Sequence, residues 1–247
     1  MDTPGFDDPA ISDAKLLKTI TTSLVDIFNN KADIQGALYI HPVTEVRLRG
    51  SGRKNLLMFK KMLGMGGMSN CRLVTTKWSK EPKEKAEDRE QQLASKEGLW
   101  QPLVAAGAQM VRFDDSMKSA IEIINPLVKG PAFKPLLLEE IITLGRTLPQ
   151  TQAGKVVNDD IETMKKAHQD EIAELKVDEE KARSQRDTEH QRALQAERED
   201  LQGKIDGLEA DKKLLAKPIS PFGQLFSLFA SAIIHFTIEG VRILLNT

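Results

Sequence analysis

Apolar positions first recur at helical spacing: Ile11, Leu16, Leu17, Ile20, Leu24, Ile27 and Phe28 predict an amphipathic helix. The period then changes. Ile34-Gln35-Gly36-Ala37-Leu38-Tyr39-Ile40 is a short, largely apolar run, the pattern of a buried parallel strand. A helix follows over 53–63, with Leu56, Leu57, Phe59, Met62 and Leu63 apolar, and the glycines at 64, 66 and 67 stop it. Residues 71–76 read as a second strand, 84–96 as a charged helix and 109–113 as a third strand. A short helix over 119–125 should end at Pro126, and a last one over 136–148 at Pro149. Strands alternating with helices predict an α/β fold: a parallel sheet of about three strands with flanking helices.

Two further regions differ in composition, which predicts boundaries of 1–150, 151–217 and 218–247. From 155 to 216 the chain is highly charged and free of proline. Leu194, Leu201, Leu208 and Leu215 fall seven apart, like d positions, and Ile205 supplies one a position. Ile161, Met164, Ile172 and Leu175 form a second set in another phase, and 176–192 offers only Val177 and Ala182 between them. A broken coiled coil and a single solvated helix held by Glu–Lys pairs both fit this pattern. Gly203 and Gly207 weaken either, each by about 1 kcal/mol against alanine. As an interaction element, 155–216 would self-associate or take a partner helix.

Residues 218–238 contain no Asp, Glu, Lys or Arg. The charge-free helix expected over 222–238 is near the lower limit of the ~17–25 residues a spanning helix needs. Three readings stand: a helix lying on or anchored in a membrane through 222–245, a helix packed back on the globular part, or a self-association element. Lys212, Lys213 and Lys217 just before it would suit an anionic membrane surface.

Composition narrows the chemistry. The 247 residues carry 35 basic and 36 acidic side chains, a formal net charge of -1, so no global footprint for nucleic acid appears. Cys71 is the only cysteine, which excludes an internal disulfide. His41, His168, His190 and His235 are scattered and show no zinc spacing. No secretory signal is visible, and a cytoplasmic location, with or without membrane association, is expected. Cys71 falls inside a predicted strand and reads as a small core residue. The basic cluster Arg47, Arg49, Arg53, Lys54, Lys60 and Lys61 lacks the interleaved aromatics that stacking on single strands requires.

Two motifs carry candidate chemistry. Asp2-Thr3-Pro4-Gly5-Phe6-Asp7-Asp8 opens the chain and leads into the first helix. Thr3-Pro4-Gly5 is an ordinary turn sequence. The whole string also resembles a GTPase switch, in which the carboxylate reaches a Mg²⁺ sphere through water and the glycine amide approaches a γ-phosphate with no Cβ in the way. Thr75-Thr76-Lys77-Trp78-Ser79 follows the second strand, where a [Asn/Thr]-Lys-x-Asp loop would read a guanine. Ser79 stands in place of the aspartate, and a hydroxyl cannot reproduce a bidentate carboxylate contact.

Together with Gly36-Ala37-Leu38-Tyr39-Ile40-His41, the Arg49-Gly50-Ser51 turn leading to Lys54-Asn55-Leu56, and Thr75-Thr76-Lys77-Trp78, the opening string resembles fungal P-loop GTPase-like proteins related to the immunity-associated, avirulence-induced GTPase group. The resemblance covers about residues 1–150, and a charged coiled-coil tail is typical of such proteins. It implies a GTP-binding G domain, with nucleotide roles for Asp2, Gly5, Thr76 and Lys77 and an indirect Mg²⁺ contact for Asp2. It also implies that the last base-contacting loop lies at Arg112-Phe113-Asp114-Asp115-Ser116.

No Gly-x-x-x-x-Gly-Lys-[Ser/Thr] occurs in the 247 residues. The chain therefore reads as the back two-thirds of a GTPase domain, incomplete or degenerate. GTP and Mg²⁺ are its expected cofactors only if a full-length form exists. At most the activity is that of a GTPase, and as given the chain is expected to be non-catalytic. The competing class is a coiled-coil scaffold docking on membrane through its apolar end. Without a phosphate-loop strand beside it, the strand at 34–40 should expose an apolar edge unless another chain or the apolar tail covers it.

Overall fold

The computed structural model describes residues 2–3, 5–6, 10–45, 50–96, 99–184 and 187–219. Helix α1 (Asp13–Asn29) starts at Ser12, whose hydroxyl accepts from the Lys15 amide. Then come β1 (Ala37–Pro42), α2 (Gly50–Leu63), β2 (Cys71–Thr76), α3 (Lys83–Ser95), α4 (Gln101–Ala105), β3 (Gln109–Arg112) and α5 (Met117–Val128). The three strands are parallel in the order β1-β2-β3, with Ala37 opposite Cys71 and Leu73 opposite Met110. Each connection passes through helix, as parallel neighbours require.

Strand alternation gives the sheet two different faces. Tyr39, Leu73 and Met110 share one face, which packs with Leu56 of α2, Leu93 of α3, and Trp100 and Leu103 at α4. Tyr39 meets Phe59 and Trp100 edge-on, at ring-centroid distances of 5.2 and 6.1 Å. Helix α5 covers part of the opposite face through Ser119, Ile123 and Leu127. Its start is tied to the end of β3 by the Ser119 hydroxyl donating to the Arg112 carbonyl (3.3 Å). Its end is fixed by Leu127 against Gly36, where a Cβ would come within 2.8 Å of both Leu127 and the Asn70 carbonyl. That close approach, with the Asn70 side chain donating to the Gln35 carbonyl, delays β1 until Ala37, three residues after the sequence-based start.

A second core lies among helices. After α5 come α6 (Leu136–Leu138), a π-helical turn (Glu139–Thr143), α7 (Gln152–Ser184) and α8 (Thr188–Ala216). Leu16, Leu17 and Ile20 of α1 pack with Met58 of α2, Leu137, Leu148, Val157 and Ile161 of α7, and Leu215 of α8. The Lys18 ammonium donates to the carbonyls of Leu214 (2.8 Å) and Lys217 (2.9 Å), which closes the carboxyl end of α8. Ser12 also donates to Asp211 (2.8 Å).

Three expectations are corrected. Residues 155–216 do not form the single solvated helix; they fall in two helices, α7 and α8. Helix α8 returns antiparallel along α7, as the pairs Lys165–Glu209, Glu162–Lys212 and Glu179–Arg198 show. The heptad leucines are a genuine seam, with Leu194, Leu201 and Leu215 buried, but α7 and α1 of the same chain fill it. Pro126 does not end its helix. It lies inside α5, which runs on to Val128 without the one hydrogen bond that the missing proline N–H would donate to the Glu122 carbonyl. The helix at 136–148 is broken into α6 and the π turn. There the buried Glu140 carboxylate accepts from Arg146 Nη1 and from the Gln152 amide (3.0 Å), so it serves the first turn of α7 rather than a continuing helix. No described helix is long and apolar enough to cross a membrane, and the apolar helix expected over 222–238 lies outside the described residues.

Leu215 is fully buried where α8 meets α1 and the turn at Leu148–Gln150. Leu215→Ala should lower the unfolding free energy by about 2–5 kcal/mol, read from urea denaturation of the whole chain. An unchanged urea midpoint would mean that α8 does not close this core.

Candidate functional site

The carboxyl ends of β2 and β3 carry most of the chemistry in the fold. Thr75, the penultimate residue of β2, is buried; its hydroxyl donates to Glu90 Oε1 of α3 at 3.0 Å. Thr76 ends the strand, and its carbonyl accepts from the Val43 amide at 3.0 Å, joining the exit of β1 to that of β2. Lys77 follows with φ 61° and ψ 34°, a left-handed conformation that a side-chain-bearing residue adopts at a cost of about 1–2 kcal/mol. This turn leaves the Lys77 side chain exposed and starts the single 3₁₀ turn Trp78–Lys80.

Trp78 folds back on the strand end. Its indole Nε1 donates to the Thr75 carbonyl (3.2 Å) and hydroxyl (3.1 Å). The Arg112 guanidinium at the end of β3 lies 4.2 Å from the centre of the Trp78 ring. Arg112 also donates to Glu90 through Nε (2.9 Å) and Nη2, and to Glu87 through Nη1 (3.3 Å). Its hydrogen bonds to the Glu90 carboxylate are the main reason its pKa is raised above the ordinary arginine value. The guanidinium is half exposed, so the stacking is worth the lower part of the usual range, about 0.5–1 kcal/mol. Arg89 Nη1, one residue along α3, donates to the Val43 carbonyl (2.7 Å) and pairs with Glu81 (3.0 Å). Helix α3 thereby ties together the exits of all three strands.

The turn after β3 is equally constrained. The Phe113 amide donates to the Thr75 carbonyl at 2.8 Å, which extends the β2–β3 ladder beyond Arg112. Asp115 has φ 65°, and the Ser116 amide donates to Asp114 Oδ1 at 3.0 Å. Ser116 is the N-cap of α5, accepting from the Ser119 amide. Hydrogen bonds from the Ser116 hydroxyl and amide hold the Asp114 carboxyl below the usual aspartate value. Among the described residues three non-glycine positions have positive φ, and two of them, Lys77 and Asp115, stand at this edge.

The other pair of expected site residues is placed differently. Asp2 is exposed, and its Oδ1 accepts from the Thr3 amide at 3.0 Å. Gly5 lies against Asn55 in α2: a Cβ on it would come 3.3 Å from Asn55 Nδ2. The next amide, of Phe6, donates to Asn55 Oδ1, and Phe6 is buried in the helical core with Leu16 and Leu17. Gly5 and Phe6 are thus pinned to the early turns of α2, which follow the exit of β1. No hydrogen bond or ion pair among the described residues joins Asp2 or Gly5 to Thr76 or Lys77. Lys54, the neighbour of Asn55, pairs with Asp13 and Asp160 (2.9 Å). No group of three or more His, Cys, Asp or Glu side chains among the described residues could hold a metal ion.

The sequence resemblance placed Arg112 at the last base-contacting loop but gave no role to Glu87 or Glu90. The signal was present: Glu87 and Glu90 are three apart on one helix face, behind a strand that ends in arginine. Burial pushes the Cys71 thiol up to about 12, which agrees with its reading as a core residue. Burial also holds the His41 imidazole below its usual value at the end of β1.

No protein family matches the chain, and no curated protein or solved structure is similar to it.

The Asp114 turn gives a direct check on this geometry. Its carboxyl should titrate below the free aspartate value of about 3.9, followed by carbon-detected NMR. Its contribution to the turn is present at neutral pH and is lost as pH falls through that lowered value. Ser116→Ala should move the titration up towards the ordinary value. An unmoved midpoint would show that Ser116 does not hold the carboxylate.

Proposed function

We propose that this chain is a G-domain protein of the P-loop GTPase type, contributing the base side of a guanine-nucleotide site and not catalytic by itself. The observation that carries the reading is Lys77, held left-handed at the carboxyl end of β2 beside the constrained turn after β3. Open α/β sheets take their ligands outside the carboxyl ends of the strands. A lysine stem there can cover a purine, with Thr76 beside it and the Asp114–Ser116 turn as the second wall. Asp2 and Gly5 would serve the phosphate side, Asp2 reaching Mg²⁺ through water. The nucleotide would be GTP with Mg²⁺ in a full-length form. The 247 residues contain no phosphate-loop motif, and without its lysine and amide nest hydrolysis is not expected. Ser79 in place of a carboxylate predicts poor discrimination between guanine and adenine.

One observation favours the scaffold alternative. The distal half of the α7–α8 hairpin has a small core of its own, Ile172, Leu201 and Ile205. A polar hairpin of this length could present its outer faces to a partner helix or to a second copy, with residues 222–245 at a membrane surface. In either reading the protein works in the cytoplasm, free or membrane-associated.

Fluorescent GTP titrated into the whole chain with Mg²⁺ tests the first reading. Saturable binding should appear, Lys77→Ala should weaken it about tenfold, equivalent to about 1.4 kcal/mol, and ATP should compete nearly as well as GTP. No saturable binding, or binding indifferent to Lys77→Ala, would contradict the proposal.

A further inference from the structure

Strand β1 is the outer strand on one side of the sheet, and no described residue pairs with its free side. The Val43 amide donates to the Thr76 carbonyl, so odd-numbered peptide groups of β1 face β2. Ladder alternation then turns the N–H and C=O of Leu38 and Ile40 outward. Pro42, with no N–H, ends this edge. The same two residues keep exposed side chains, Leu38 at 39% and Ile40 at 62%. Ala37–Pro42 holds no charged residue, which is the usual guard on an open edge.

Helix α5 adds to this surface. Met117, Ile121, Ile124 and Val128 are exposed and spaced as one helical stripe. The contact of Leu127 with Gly36 brings the end of that stripe beside the start of β1. Unpaired peptide groups, two bare aliphatic side chains and an apolar helix stripe thus border one another on the partly covered face of the sheet.

We propose that a second copy of this chain covers this surface, its β1 pairing antiparallel with the first about a two-fold axis at Tyr39. Parity permits that register, and it keeps Pro42, which has no N–H, out of the pairs at Leu38 and Ile40. With Tyr39 facing its own copy, Leu38 lies opposite Ile40 of the second copy, and both belong to the set whose N–H and C=O point outward, so they form hydrogen-bonded pairs. The two aliphatic side chains project from the same face and meet across the axis. The edge is uncharged, so it suits another uncharged strand, and a net charge of -1 sets up no strong repulsion between copies. The two-fold joins two three-stranded sheets into one and places both α5 helices on the same side of it. A six-residue ladder alone falls short of the ~1,000 Å² a specific interface needs. The α5 stripes supply the remaining apolar area.

Sedimentation velocity on the full chain, from low micromolar to near-millimolar concentration, tests this. The wild type should form dimers. Ile40→Lys should be monomeric with an unchanged circular-dichroism melt, since Ile40 is exposed, and Val177→Lys on the distal hairpin should still dimerise. Amide exchange at Leu38 and Ile40 should slow as dimers form. A wild type that stays monomeric overturns the proposal, whether residues 220–247 or an unrelated strand covers the edge instead. So does a dimer that survives Ile40→Lys, or one that leaves exchange at Leu38 and Ile40 unchanged. Nucleotide binding enters none of these readouts, so the outcome is independent of the proposed function.

Discussion

The carboxyl end of α8 packs onto the first half of α1, and the architecture depends on that junction. A parallel sheet needs both faces covered; among the described residues the strands engage α2, α3 and α4 on one face, and α5 lies on the other. Helix α1 makes its core with α2, α7 and α8 rather than with strands. Leu215 fills the space among them, and Lys18 neutralises the carbonyls at the end of α8. The long hairpin is therefore no appendage at its base. Its return gives α1 a partner, while α7 packs on α2, whose early turns carry Asn55 and so orient Gly5 and Phe6.

The sheet's carboxyl edge is stiff for a separate reason. Three strand exits are bound to α3: Val43 through Arg89, Thr75 through Glu90, and Arg112 through Glu87 and Glu90. Two left-handed residues, Lys77 and Asp115, sit on this frame. Such conformations persist only where the surroundings over-determine them, and they gather where backbone must present groups to a ligand. The proposed role of Lys77 rests on this frame, and in that proposal Ser79 stands where a carboxylate would select guanine.

Much of the sheet was legible in the chain. Residues 71–76 form β2 with the bounds read from the sequence, because strand and turn signals agree there. Two strands and most helices fall within a few residues of expectation. The failures have physical causes. The start of β1 is set by contacts of Gly36 with Asn70 and Leu127, which are remote in sequence. The break after Leu138 follows from Glu140 serving a helix that begins at Gln152. The leucine seam was visible, but no local pattern says whether such a seam is filled by its own chain or another. Thr76 and Lys77 were singled out by motif, and the structure places them at the end of β2. The Arg112–Trp78 stack was not singled out, since it joins residues from two strand ends that only the parallel register brings together.

The carboxyl edge as the base side of a nucleotide site is the central claim. Its most direct test is an amide and indole NMR titration of the whole chain with GTP and Mg²⁺. The account predicts that the Trp78 indole and the amides of Lys77, Arg112 and Asp114 shift together and saturate, while Ile172 and Leu201 in the distal hairpin stay fixed. Saturating shifts elsewhere with these unmoved, or no shifts at all, would contradict it.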